Sequence, residues 1–151
     1  MPVTKRRDVG PRVVQRRRLS PALTREYGRF LSGFEWDWFL TLTFEERSSL
    51  QAARAAFRRY ASSVEQAAGT RVYWFRVDEM GVFGRLHQHA LLGNIGTLDH
   101  AVWERLWRRG HSRIKLYDPQ LGAAYYVTKF IESPACEYEL SDDATAFQRK
   151  G

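Results

Sequence analysis

The chain has little cysteine, no long apolar run and no P-loop, the glycine-rich motif that binds nucleoside triphosphates. Its single cysteine, Cys136, excludes an intramolecular disulfide and a cysteine-rich zinc module. Segment 1–10 lacks the apolar core of a signal peptide, and no stretch is long and apolar enough to cross a bilayer. We therefore expect a cytoplasmic protein that has no membrane partner and carries no helicase of its own.

Positive charge is concentrated at the start of the chain. The net charge is +7, and residues 1–18 contain seven Lys and Arg side chains but only one Asp. Such a segment is either a solubilising tail or an arm that contacts nucleic acid through its cations. We predict that residues 1–19 form a flexible basic arm whose candidate nucleic-acid contacts are Arg6, Arg7, Arg16, Arg17 and Arg18.

The spacing of apolar residues predicts helices and strands in an order that defines a fold class. A helix is predicted over 20–33, and the elements that follow it are a strand within 36–46, a helix over 48–69, strands over 70–80 and 85–93, a helix over 97–110, a strand over 111–118, a helix over 119–133 and a final strand after 135. This order lacks the repeated parallel units of a doubly wound sheet. It predicts an α+β domain over 20–140, with an antiparallel sheet, helices mainly on one face and a tail over 141–151.

Two histidines separated by one residue mark the second strand of the predicted hairpin. Side chains alternate along a strand, so His87 and His89 share one face with Arg85, while Gln88 points to the other face. Two parallel imidazoles can hold one divalent cation. The alternative is that both are ordinary polar residues on a half-buried strand.

A carboxylate on the neighbouring strand completes a candidate metal site. Glu79 precedes the turn of the hairpin, and folding back about this turn brings it toward His87, whereas Asp78 points to the other face. Two imidazoles and one carboxylate with open positions are typical of a catalytic metal. Alternatively, Glu79 is a solvated residue beside a turn. His100 and His111 have no such partners and are expected at the surface.

The last predicted helix contains two adjacent tyrosines and a lysine. Lys129 follows Tyr126 by three residues and Tyr125 by four, so either phenol can share its helix face. A neutral phenol is a poor nucleophile, but a nearby ammonium favours the phenolate, which can attack phosphorus. The alternative is a tyrosine pair at the edge of the core with a surface lysine.

Three segments taken together resemble a known family. FLTLTF (39–44), GRLHQHALL (84–92) and YVTK (126–129) resemble, in content and order, the motifs of HUH-superfamily rolling-circle replication initiators. These are the Rep endonucleases of plasmids, phages and small single-stranded DNA viruses. The tyrosines lie side by side, so the spacing of two-tyrosine initiators is absent, and a single-tyrosine type is indicated.

The resemblance implies a ferredoxin-like or RRM-like HUH nuclease fold and a set of roles. His87 and His89 match the motif histidines, Glu79 the acidic ligand of a Mg²⁺ or Mn²⁺ ion, Tyr126 the nucleophile and Lys129 its helical lysine. The implied activity nicks and joins single-stranded DNA at a replication origin, through a 5′-phosphotyrosine and a free 3′-hydroxyl. Arg85 and the arginines of the basic arm are then the candidate DNA contacts. A host helicase and polymerase would be its partners.

Two other functions compete with this one. A transposase of the same superfamily is the enzymatic alternative, although the related small transposases usually carry Gln in the tyrosine helix, where this chain has Lys129. The other alternative is a non-catalytic RRM-like module. In it Trp36, Trp38, Tyr73 and Phe75 would stack on nucleic-acid bases.

Overall fold

A computed structural model describes residues 21–80, 85–96, 98–123, 125–126 and 136–141. Within these residues there are three helices and five strands. In chain order they are α1 (Pro21–Leu31), β1 (Trp38–Thr43), α2 (Leu50–Ala68), β2 (Tyr73–Met80), β3 (Leu86–Gly93), α3 (His100–Leu106), β4 (Ser112–Leu116) and β5 (Cys136–Leu140). No helix of the described part is long and apolar enough to span a membrane.

The strands form one antiparallel sheet in the order β4-β1-β3-β2-β5. The run from β1 to β4 has the βαββαβ order of a ferredoxin-like unit, and β5 extends this unit beside β2. The α+β class and the antiparallel sheet predicted from the sequence are therefore confirmed. α2 and α3 cover one face, and α1 and the helical residues Ala123 and Tyr126 contribute to the other.

Both faces of the sheet carry a hydrophobic core. Phe57 of α2 and Trp103 of α3 pack with Leu40 and Leu92 on one face. On the second face, a smaller cluster joins residues of α1 and the following loop to the sheet and to Tyr126. The apolar alternation of β1 and β3 fits this arrangement, because successive side chains enter different cores.

Burial on both faces corrects one sequence interpretation. Trp36, Trp38, Tyr73 and Phe75 are only 3% to 6% exposed, so the proposal that they form stacking platforms is wrong for this structure. Aromatic and β-branched residues are equally typical of a sheet that packs on both sides. The compositional signal is therefore explained by the two cores.

The helix over 97–110 is shorter than predicted. Asp99 caps it and accepts a hydrogen bond from the Ala101 N–H at 2.9 Å, whereas Thr97, where the predicted helix begins, lies outside the described residues. α3 ends at Leu106 instead of Gly110, because the segment after it bonds to β1 and its continuation, with the Glu45 N–H donating to the Arg109 carbonyl at 2.9 Å. The helix predicted over 119–133 lies largely outside the described residues.

α2 lies within the helix predicted over 48–69 and has a capping residue at each end. The Ser49 side chain accepts a hydrogen bond from the Ala52 N–H at 3.1 Å, and Gly69 ends the helix with a positive φ of 68°. This helix covers the sheet behind the candidate site, so its position fixes the strands that carry the site residues.

We expect Ser49→Ala to lower the free energy of unfolding by about 1 kcal/mol, because one N–H at the helix start loses its acceptor. Urea unfolding followed by circular dichroism measures the change. Ser63→Ala is the matched control, since the Ser63 hydroxyl donates to the Arg59 carbonyl inside the same helix. Its effect should be a few tenths of a kcal/mol or stabilising. Equal losses in both variants would contradict the capping role.

Candidate active site

A polar region lies on the second face of the sheet, next to its apolar cluster. β3 pairs with β1 so that His89 lies opposite Thr41 and His87 lies opposite Thr43. On the other side, β3 pairs with β2 so that His87 lies opposite Glu79. Cross-strand partners point to the same face, so these five side chains form one polar region on three neighbouring strands.

Glu79, His89 and Thr41 form a hydrogen-bonded series across the three strands. The Glu79 Oε2 atom lies 3.0 Å from His89 Nε2, and His89 Nδ1 lies 3.2 Å from the Thr41 hydroxyl oxygen. Both ring nitrogens therefore have partners, which fixes the orientation of the ring. The side chains of His89 and Glu79 are 17% and 24% exposed, so solvent and a ligand reach them.

The predicted approach of a carboxylate to the histidines is present, with His89 as the contacting residue instead of His87. Glu79 and His87 are register partners, but the carboxylate contacts the diagonal neighbour. In the described part of the chain no three His, Cys, Asp or Glu side chains are grouped so as to hold a metal ion. The donor types nevertheless fit a divalent cation, since one carboxylate and two imidazoles on one accessible face match mixed O and N ligation.

Thr41 is the site residue that sequence reasoning did not single out. It lies in the FLTLTF segment, but its partner His89 is 48 residues away along the chain, so only the strand register brings them together. A threonine on a strand is usually explained by its preference for extended backbone. In the sequence, only its alternation with the apolar Leu40 and Leu42 indicated that Thr41 points away from the core that these leucines enter.

The tyrosine pair lies on the same face, above the apolar part of β1. The Tyr126 ring is 5% exposed and packs on Phe39, with ring centroids 5.2 Å apart. Its hydroxyl accepts a hydrogen bond from the Asp118 N–H at 2.9 Å. Asp118 follows β4 beyond the Trp38 end of β1, so this hydroxyl lies toward the end of β1 opposite to Thr43. Tyr125 is 37% exposed.

Two other tyrosines can be set aside as nucleophiles. Burial raises the pKa of Tyr60, whose hydroxyl has no hydrogen-bond partner among the described residues. Burial and, to a smaller extent, the hydrogen bond to Tyr27 raise the pKa of Tyr138. A raised pKa keeps a phenol neutral, so neither residue competes with the Tyr125 and Tyr126 pair.

The other residues considered from the sequence lie partly within and partly outside the described residues. Arg85 is exposed immediately before β3, as a DNA contact requires. Lys129 and the arm residues Arg6, Arg7, Arg16, Arg17 and Arg18 lie outside the described residues. His100 and His111 are exposed, as expected from the sequence. Asp78 is buried and pairs with Gln88 on the opposite face, whereas Glu79 lies on the face of the histidines.

Comparison with protein families identifies the class. Residues 37–134, which include the whole polar region and the tyrosine pair, match the family described as replication-associated protein ORF2/G2P. The match covers more than half of the chain. The protein therefore belongs to the replication-associated protein ORF2/G2P family.

One solved structure supports the fold. The hypothetical protein ORF119 from Sulfolobus islandicus rod-shaped virus 1 is similar, with a TM-score of 0.52 and 18% sequence identity. The similarity covers 71% of this chain and 89% of the viral one. No curated protein sequence matches this chain.

Proposed function

We propose that this replication-associated protein is a replication initiator that nicks and rejoins single-stranded DNA through a tyrosine in a rolling-circle mode. The observation that carries the proposal is the contact between Glu79 and His89, in a chain whose family is associated with replication. The Glu79–His89 contact lies partly exposed, and a third polar side chain, His87, is the register partner of Glu79 on the same face. The arrangement supports a site that binds a phosphodiester.

The proposed chemistry is transfer of a phosphoryl group to a phenol. The Tyr126 oxygen attacks phosphorus, the bond from phosphorus to the 3′ oxygen breaks, and the phenolic proton passes to the 3′ oxygen. DNA then remains joined to the protein through its 5′ phosphate, and the free 3′-hydroxyl is available to a polymerase. Rejoining is the reverse reaction. By its position in the motif, Lys129 stabilises the phenolate.

Glu79, His87 and His89 are the residues that would hold a divalent cation, Mg²⁺ or Mn²⁺. When bound, such an ion polarises a phosphate oxygen and orients the phosphodiester. The protein contributes the orientation of its ligands, because the Thr41 hydroxyl beside His89 Nδ1 fixes the imidazole and leaves Nε2 toward Glu79.

The metal site yields a direct test. We expect His89→Ala to abolish adduct formation with a labelled single-stranded oligonucleotide. It should also weaken Mn²⁺ binding by more than the roughly 10- to 100-fold typical of losing a residue that only orients a metal ligand. His87→Ala should behave in the same way. Denaturing gel electrophoresis measures the adduct, and electron paramagnetic resonance of free Mn²⁺ measures binding.

His111→Ala is the matched control. His111 is exposed and bonds to Thr43 through its backbone atoms, which the substitution keeps, so both activities should remain at wild-type levels. If the double variant His87→Ala, His89→Ala still formed the adduct in EDTA-treated buffer, the metal-dependent mechanism would be refuted. An adduct that requires the histidines and the cation supports it.

A further inference from the structure

The edge strand β4 presents two cations on the same face as the candidate site. β4 pairs with β1, with Arg113 opposite Thr41 and Lys115 opposite Phe39. Between them Ile114 enters the core on the opposite face, which fixes both basic side chains on the side of the histidines. Both cations are exposed. Within the described residues neither forms an ion pair.

The two cations flank the site in register. Arg113, Thr41 and His89 are aligned across three neighbouring strands, so the backbones of Arg113 and His89 are about 10 Å apart. Lys115 is aligned with Phe39, the ring on which Tyr126 packs. The polar region and the tyrosine pair therefore each have a basic side chain at the β4 edge.

The charge of this face favours an anionic chain as its partner. Among the described strand residues of the face, Glu79 is the only carboxylate, and it is occupied by His89. Residues two apart on a strand are about 6.6 Å apart, which is close to the spacing of successive phosphates in an extended single strand. Two cations at this spacing suit successive phosphates of a single strand better than one isolated phosphate.

We infer that Arg113 and Lys115 form a phosphate-binding edge that holds the backbone of single-stranded DNA beside the Glu79–His89 pair. The inference rests on the proposed function for the identity of the DNA, and it adds a binding surface outside the metal and tyrosine residues. The edge fixes the path of the strand along β4. It contributes affinity without base specificity, since phosphate contacts carry no sequence information.

The test is binding of a fluorescein-labelled 20-nucleotide single strand to the protein, followed by anisotropy at several salt concentrations. A slope of roughly −0.7 per cation corresponds to about fivefold in affinity per contact at 0.1 M salt. The double variant Arg113→Gln, Lys115→Gln should therefore bind about 25-fold more weakly at this salt concentration, and its salt slope should be flatter by about 1.4. A 20-base-pair duplex should lose less.

The matched control is Arg59→Gln, Arg105→Gln. It removes the same charge from exposed positions of α2 and α3, the helices that cover the other face. This control should bind the single strand within about twofold of wild type. An edge variant with unchanged affinity and slope, or with equal losses on single strand and duplex, would overturn the inference.

Adduct formation at saturating oligonucleotide separates this inference from the proposed function. If the edge variant binds the single strand more weakly but the wild-type protein forms no adduct, the strand-transfer chemistry is refuted and the phosphate-binding role of Arg113 and Lys115 is supported. A wild-type protein that binds no single-stranded DNA would overturn both. Edge-dependent binding, with the adduct retained by the edge variant at saturation, supports both.

Discussion

Replacing Tyr126 with phenylalanine should abolish the covalent DNA adduct, with a loss of at least about 10³-fold, because the attacking hydroxyl is removed. The ring should keep its packing on Phe39 and Tyr117, so binding of DNA and Mn²⁺ should persist. The adduct is measured on denaturing gels with a labelled single strand and Mn²⁺.

Tyr125→Phe is the matched control, since it removes the same atom from the adjacent residue. The two tyrosines differ in their surroundings. Tyr125 is 37% exposed, whereas the Tyr126 ring is buried and its hydroxyl accepts a hydrogen bond from the Asp118 N–H. For Tyr126 to attack phosphorus, the hydrogen bond from the Asp118 N–H to its hydroxyl must first break. We expect Tyr125→Phe to retain most of the adduct.

Stability must be followed in the same variants. Tyr126→Phe leaves the Asp118 N–H without this acceptor, a cost of about 1 kcal/mol, so its melting temperature should fall slightly while the fold is retained. Peptide mapping of the DNA-linked fragment identifies the attacking residue. A phosphotyrosine at position 125, or an adduct that survives in Tyr126→Phe, would refute the assignment to Tyr126.

The sequence was sufficient to predict the strands and the face of the histidines, because side-chain alternation has a fixed period of two. Leu86, Ala90 and Leu92 enter one core, and this leaves His87 and His89 on the opposite face, as predicted. α2 lies within its predicted range of 48–69, because its limits depend on local capping by Ser49 and Gly69. The carboxylate also lay on the predicted strand.

Contacts that depend on register and on burial of both faces were not predictable. The Thr41–His89 contact needs the pairing of β1 with β3, and the diagonal choice of His89 by Glu79 needs side-chain rotamers. Nothing in the sequence pattern predicted the burial of Arg76, because charged residues are seldom fully buried unless they are paired. Its partner Glu139 lies on β5, far away along the chain.

Arg76 is the charged residue on which we expect stability to depend most. Its side chain is fully buried on the α2 face, where its guanidinium contacts the Asp78 carboxylate at 3.0 Å and the Glu139 carboxylate at 2.9 Å. It also lies over the rings of Phe57 and Trp74. The group links β2 to β5 on the face opposite to Glu79.

Arg76→Met should lower the free energy of unfolding by about 3–5 kcal/mol, because two buried carboxylates lose their shared cation. This is a large part of the roughly 5–15 kcal/mol that stabilises a typical domain. Urea unfolding followed by circular dichroism measures the loss. Arg58→Met is the matched control: the Arg58 side chain is 56% exposed and also contacts Glu139, and its removal should cost no more than about 1 kcal/mol.

The charge origin of this effect can be separated from packing by neutralising the partners. In the triple variant Arg76→Met, Asp78→Asn, Glu139→Gln no unpaired buried carboxylate remains at these positions. The Asp78→Asn change also keeps a side-chain oxygen as an acceptor for the Gln88 amide, which donates to Asp78 in the wild type. We therefore expect this variant to recover much of the stability lost in Arg76→Met. A triple variant as unstable as the single one would show that packing of the guanidinium on Phe57 and Trp74, and not pairing of charges, is what stabilises this face.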